Sequence, residues 1–184
     1  MKETALLIID VQNDYFDGGK NPLVGPELAV QKVAQLLTRF REQNLPRIFI
    51  QHISRNPEAS FFAPNTPGIE IHPAIKPTTN ERIIQKQVPN SFIGTGLFDY
   101  LKSLNIGRLV ICGMMTHMCV DATVRAAKDL GFDVLVIADA CATKDLKFEK
   151  GVTKAEQVQI AFLSAFSAYY AKVVTTQEFL SGKS

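Results

Sequence analysis

The chain has 184 residues, 46% of them hydrophobic, which suits one globular domain over residues 1–184 with a sizeable core and leaves two domains cramped. Its 20 basic and 18 acidic residues are spread along the chain for a net charge of +2, so neither nucleic acid nor an anionic membrane is an expected partner. No apolar run approaches the length of a membrane span, and Met-Lys-Glu-Thr leads straight into strand-like sequence, so a cytoplasmic protein is expected. Three cysteines, Cys112, Cys119 and Cys141, lack zinc-like or Cys-x-x-Cys spacing, which makes free thiols the expectation.

Short β-type runs alternate with segments of helical period, the mark of βαβ units. Residues 4–9 form the first strand. Pro26 is placed to open a helix on which Leu28, Val33, Leu36, Leu37 and Phe40 share a stripe, ending at the turn Asn44 to Pro46. Further strands are expected at 47–51, 81–85, 108–112, 132–138 and 172–175, with helices at 96–104, 119–130 and 154–171. Right-handed crossovers put helices on both faces, which predicts a three-layer α/β/α sandwich around a six-stranded, mainly parallel sheet.

Residues 53–80 interrupt this alternation. They hold five of the nine prolines together with Phe61 and Phe62. A connection of that length is usually functional or disordered, and paired phenylalanines argue against disorder. The segment reads as a pocket wall or, equally, as a contact with a neighbouring subunit. Apolar and aromatic residues in 161–170 exceed one helical stripe, which suggests a buried helix or a homo-oligomeric contact.

Three residues carry candidate chemistry. Asp10 closes the apolar run of the first strand, Lys86 follows Ile83 and Ile84, and Cys119 lies a few residues beyond LVICG. Strand carboxyl ends share one edge in a parallel sheet, and ligands bind there, so the three are positioned to converge. An acid, an ammonium and a thiol are the parts of a nucleophilic hydrolase. Each also has a plainer reading: Asp10 as a turn cap, Lys86 as a solvated edge residue, Cys119 as an inert buried thiol. Cys119 sits where a loop becomes a helix, where backbone N–H groups lower a thiol pKa, whereas Cys112 and Cys141 lie in apolar or small-residue runs and suit the inert reading better. Position 12 is Gln, not the second aspartate that a magnesium-dependent haloacid-dehalogenase-type site requires.

The blocks LLIIDVQNDY, KQVPNSFIGTGL and LVICGMMTHMCVDATVRAAKDLGFDV with the following DACAT resemble, over nearly the whole chain, the isochorismatase-like cysteine hydrolases, which include nicotinamidases and N-carbamoylsarcosine amidases. The resemblance implies that Asp10, Lys86 and Cys119 form a catalytic triad. It also implies a cis peptide at Met114–Met115 that turns the N–H of Met115 beside that of Cys119 to form an oxyanion hole. Nicotinamidases carry an Asp-x-His metal motif, but Ile50, Gln51 and His52 put isoleucine in the aspartate position, so no metal and no cofactor are expected. His52 and His72 read as hydrogen-bonded loop histidines in preference to zinc ligands. True isochorismatases cleave a vinyl ether without a cysteine nucleophile, so Cys119 points to an amide-type C–N bond of a small-molecule substrate.

Connectivity places Gln12, Phe16, His52, Phe92 and His117 near this chemistry as candidate substrate-binding residues, although core packing is the plainer reading for Phe16 and Phe92. A nucleotide-binding module is disfavoured because Gly94 and Gly96 are followed by Asp99 where a third glycine belongs. A non-catalytic scaffold is the remaining alternative, since fold alone does not exclude it.

Overall fold

A computed structural model describes residues 3–182. Six parallel strands form the sheet: β1 (Glu3–Ile9), β2 (Arg47–His52), β3 (Arg82–Lys86), β4 (Ile106–Met114), β5 (Asp133–Ala142) and, after a small hairpin of β6 (Leu146–Phe148) and β7 (Gly151–Thr153), β8 (Lys172–Val174). Their order is β3-β2-β1-β4-β5-β8, so the chain winds outward in both directions from β1 and β4. That reversal opens a crevice beyond the carboxyl ends of those two strands.

Strand alternation assigns each side chain to a layer. Leu6 and Ile8 of β1 join Val110, Cys112 and Met114 of β4 under α1 (Pro26–Glu42), while Ala5, Leu7 and Ile9 join Leu109 and Ile111 on the other face. That second face is covered by α2 (Leu97–Ser103), α3 (Asp121–Asp129) and α4 (Ala155–Ala165), and α5 (Thr176–Leu180) packs beside α1 through Phe179 and Leu180. The result is the expected three-layer α/β/α sandwich.

Several expectations change at the level of elements. Leu28 leaves the apolar stripe of α1 and is 69% exposed, because the stripe that meets the sheet is Ala29, Val30, Val33, Leu36, Leu37 and Phe40. The helix expected at 119–130 divides into a π-helical turn, Thr116–Val120, and α3. The one expected at 154–171 likewise ends in a π-helical turn, Phe166–Tyr170. The β6–β7 hairpin and α5 were not expected. The hairpin residues lie on the surface and show little apolar alternation, but α5 had a readable signal: Thr175 and Glu178 form a capping box.

Residues 53–80 fold back onto their own chain. Ile75 and Phe62 are fully buried, and Phe62 packs against Tyr15 with ring centroids 4.7 Å apart. Two carboxylates hold this segment. Asp14, buried, accepts from the N–H of Phe62 at 2.6 Å and of Lys20 at 3.1 Å, and Gly68 lies so close that a Cβ there would collide with the Asp14 carboxyl group. At the far end Glu81 accepts from Arg41 of α1, Arg47 of β2 and the N–H of Thr78.

Burial alone would raise the Glu81 pKa, but the two guanidinium groups and the Thr78 N–H outweigh it and hold it at about 2. A depressed carboxylate contributes stability above its unfolded pKa that is lost as pH falls through the folded value. Glu81→Gln is therefore expected to cost about 3 kcal/mol in urea denaturation at pH 7. The gap between variant and wild type should close as pH falls from about 4.5 toward 2.

Candidate active site

β1 ends at Ile9, and Asp10 takes a left-handed backbone conformation (φ 50°) that turns the chain off the sheet. Its carboxylate is fully buried, and Oδ2 lies 2.7 Å from Nζ of Lys86, the last residue of β3. β3 is the sheet edge and β2 lies between it and β1, so the lysine side chain extends across the end of β2 to reach Asp10. Nζ also lies 3.2 Å from Sγ of Cys119, 2.9 Å from Nδ1 of His52 and 3.2 Å from the Val88 carbonyl oxygen. Cys119 enters from the π-helical turn after β4, 3% exposed. The three residues singled out in sequence thus meet at one point at the crevice.

Gly113 permits the close approach of β4 to β1 there. Its φ of 128° and its contact with the Ile9 carbonyl leave no space for a Cβ. The next peptide but one, Met114–Met115, is cis, and the π turn that carries Cys119 begins directly after it.

The electrostatics differ from the expectation of a thiol acidified by a helix terminus. Burial pushes the Cys119 pKa up, the Asp10 carboxylate adds to this, and Lys86 only partly offsets both. The resting sulfur is therefore a thiol. Burial works to lower the Lys86 pKa, but the net shift is upward, led by the charge of the Asp10 carboxylate, so the ammonium stays charged. Neither Asp10 oxygen has a protein donor in hydrogen-bond geometry among the described residues, and Oδ1 lacks even the ion pair that Oδ2 makes with Lys86, so the carboxylate can receive the thiol proton. Cys112 and Cys141 are buried thiols raised in pKa chiefly by desolvation, which fits the inert reading.

The candidate binding residues fare differently. The Gln12 amide donates to the carbonyls of His52 (2.9 Å) and Ile69 (2.8 Å) and accepts from the His52 N–H (2.7 Å), so it ties β2 to residues 67–71. Phe92 is partly buried and stacks on Phe132 against the core layer beneath α2 and α3, in line with the plainer packing reading. Phe16 is buried with its ring 4.0 Å from that of His72. His117 is half-buried, and its Nδ1 is 2.5 Å from Oγ1 of Thr143. His52 touches the triad directly through Lys86.

Tyr15 was missed. Its ring is buried against Phe61 and Phe62, and its pKa is raised well above the ordinary value chiefly by burial, with the Asp10 and Asp14 carboxylates adding to this. Sequence alone offered only its place five residues after Asp10. One cleft of about 360 Å³ lies beside the site, lined by Ile53, Arg55, Lys86, Gln87, Val88 and Ile93, although the Lys86 side chain itself has no solvent exposure.

Asp10, His52 and Cys119 have ligand atoms within 4.8 Å of one another. Lys86 Nζ, however, lies within 3.2 Å of all three residues, and a metal ion would have to displace this buried ammonium. The donor set therefore does not fit a metal. Iodoacetamide alkylation of Cys119 is expected to keep rising with pH beyond 9 without a plateau, since burial holds the thiol protonated. Lys86→Met should slow it further near neutral pH; an unchanged rate would separate the lysine from the thiol. Dialysis against a chelator should leave any turnover intact, as measured beside metal analysis of the dialysed protein.

An isochorismatase domain model matches residues 4–178. The isochorismatase-family protein YddQ of Bacillus subtilis is 48% identical over 177 residues, covering 96% of this chain and 98% of that one. A nicotinamidase of Acinetobacter baylyi is 27% identical over 176 residues, covering 77% and 82%. A crystal structure from Oleispira antarctica, assigned to the isochorismatase hydrolases, superposes with a TM-score of 0.95 at 47% identity and covers 98% of this chain and 97% of that one. With the family model spanning almost all of its length and a buried acid, lysine and cysteine at the sheet crevice, this chain belongs to the isochorismatase family of hydrolases.

Proposed function

We propose that this protein is a cysteine hydrolase that cleaves an amide-type C–N bond of a small molecule through a covalent thioester. The observation that carries this reading is the convergence of Asp10, Lys86 and Cys119, with Lys86 Nζ 2.7 Å from the carboxylate and 3.2 Å from the sulfur. Asp10 takes the Cys119 proton as the sulfur attacks the carbonyl carbon, and Lys86 holds the carboxylate and favours negative charge on sulfur. The N–H groups of Met115 and Cys119 receive the oxyanion, each worth on the order of 3 kcal/mol in such sites. As the C–N bond breaks, the leaving amine takes the proton from Asp10. A water deprotonated by Asp10 then cleaves the thioester, releasing the acid and restoring the thiol. No cofactor enters this cycle.

A C–N bond is favoured over ether hydrolysis because the cysteine lies at the centre of the site, and the nicotinamidase relative supports the same class. An almost closed nucleophile suits a small substrate. Tyr15, Phe16, Phe62 and His117 are proposed as its surroundings, and the three free thiols are consistent with a reducing, cytoplasmic setting. Homo-oligomerisation belongs to the same proposal, with the exposed Phe148 (82%), Tyr169 (68%) and Ile160 (59%) as the apolar side chains a second copy would cover.

A panel of primary amides, carbamoyl compounds and lactams, followed by ammonia or acid release, tests the reading. Cys119→Ala should abolish turnover and leave the circular dichroism spectrum unchanged; retained activity would exclude the covalent route. Asp10→Asn and Lys86→Met should each reduce turnover by roughly a thousandfold or more. Because both serve one proton transfer, the double variant should be scarcely slower than the worse single variant. Additive losses would show that the two act independently.

A further inference from the structure

Lys86 is a donor with three hydrogens, and four acceptors surround it: Asp10 Oδ2 at 2.7 Å, His52 Nδ1 at 2.9 Å, and the Val88 oxygen and Cys119 sulfur at 3.2 Å each. An ammonium has no lone pair, so Nδ1 of His52 can meet it only as an unprotonated acceptor. The alternative partner for a protonated Nδ1, Asp10 Oδ2, lies 4.0 Å away, beyond hydrogen-bond distance. The imidazole is also held in place. Gln12 grips both the N–H and the carbonyl of His52, and Phe62 lies against the ring with centroids 5.7 Å apart.

We propose, resting on the cysteine-hydrolase reading, that His52 is a positioning residue whose neutral, Nε2-protonated ring holds one hydrogen of Lys86 and so aims the others at Asp10 and Cys119. The same contact makes the site acid-sensitive: a proton taken from solvent by Nδ1 removes the acceptor and places a second cation beside the first. The groups that face His52 are Asp10 from the end of β1, Lys86 from β3 and Cys119 from the π-helical turn, with uncharged Phe62 from the covering loop. Burial and Lys86 lower the affinity of His52 for a proton while Asp10 opposes them, so the loss falls below the ordinary histidine range near 6.5.

Two measurements that need no substrate test this role. In two-bond proton–nitrogen spectra of protein carrying ¹⁵N-histidine, with the His52 signals identified by their absence in His52→Asn, His52 is expected as the neutral Nε2–H tautomer down to below pH 6. In Lys86→Met its pKa should rise, because the opposing cation is gone. Iodoacetamide alkylation of Cys119 provides the second readout. His52→Asn, which keeps an acceptor near the position of Nδ1, should stay within threefold of the wild-type rate at pH 8 and lose the wild-type decline attributable to a group titrating below pH 6.5. His52→Leu should be slower by tenfold or more.

An Nδ1–H tautomer in the wild-type protein would overturn the proposal, as would an acid decline in His52→Asn identical to wild type or wild-type alkylation in His52→Leu. Should His52→Leu fail to fold by circular dichroism, the tautomer and the asparagine variant decide alone. A silent substrate panel alongside the expected spectra would count against the amidase reading and leave the positioning role in place.

Discussion

The ion pair between Asp10 and Lys86 has no access to solvent, and the surrounding structure follows from the cost of keeping it there. Each buried charge loses several kcal/mol of hydration, and their mutual attraction repays this only when the remaining hydrogens and lone pairs find partners. Lys86 has them in His52, Val88 and Cys119. Asp10 has an oxygen left over, which would be a defect in a purely structural pair and is a requirement for a base. Removal of either charge strands the other, so the pair also constrains which substitutions the fold will accept.

Around this pair the protein maintains a water-poor enclosure from pieces far apart in sequence. Residues 11–13 and 69–72 are tied together by the amide of Gln12, by the Asn13 N–H to the Glu70 carbonyl and by the His72 N–H to the Val11 carbonyl. Asp14 anchors Phe62 over Tyr15, and the Phe62 ring in turn lies against that of His52. The long loop is thus the wall that gives the charges their low dielectric, which makes each contact of Lys86 stronger than it would be in water. The same enclosure keeps the Cys119 proton on sulfur at rest, so the nucleophile becomes reactive only as Asp10 removes that proton.

Sheet topology explains why these residues meet. Parallel strands bring all carboxyl ends to one edge, and the reversal of order at β1 and β4 leaves a crevice there with no crossover to fill it. Asp10 and Cys119 stand on its two sides, and a long flexible side chain is required to reach it from β3. Lysine meets that need with an unbranched stem and a compact charge.

Sequence by itself determined the layer architecture, because apolar strand runs and helical stripes are local patterns set by the backbone period; that is why the six sheet strands were each legible to within a few residues at their ends. It also singled out Asp10, Lys86 and Cys119, through their places at strand ends and through motif resemblance. It did not reveal which polar groups face one another. Gln12 and His52 are 40 residues apart and Asp14 and Phe62 are 48 apart, so no local period records those bonds. The resting protonation of Cys119 depended on burial and on two charges from distant strands, Asp10 and Lys86, which is why the helix-terminus argument gave the wrong direction. Tertiary structure alone decided that His52 accepts from Lys86 and that the proline-rich loop packs on its own chain, since each depends on a long-range distance that composition and spacing do not encode.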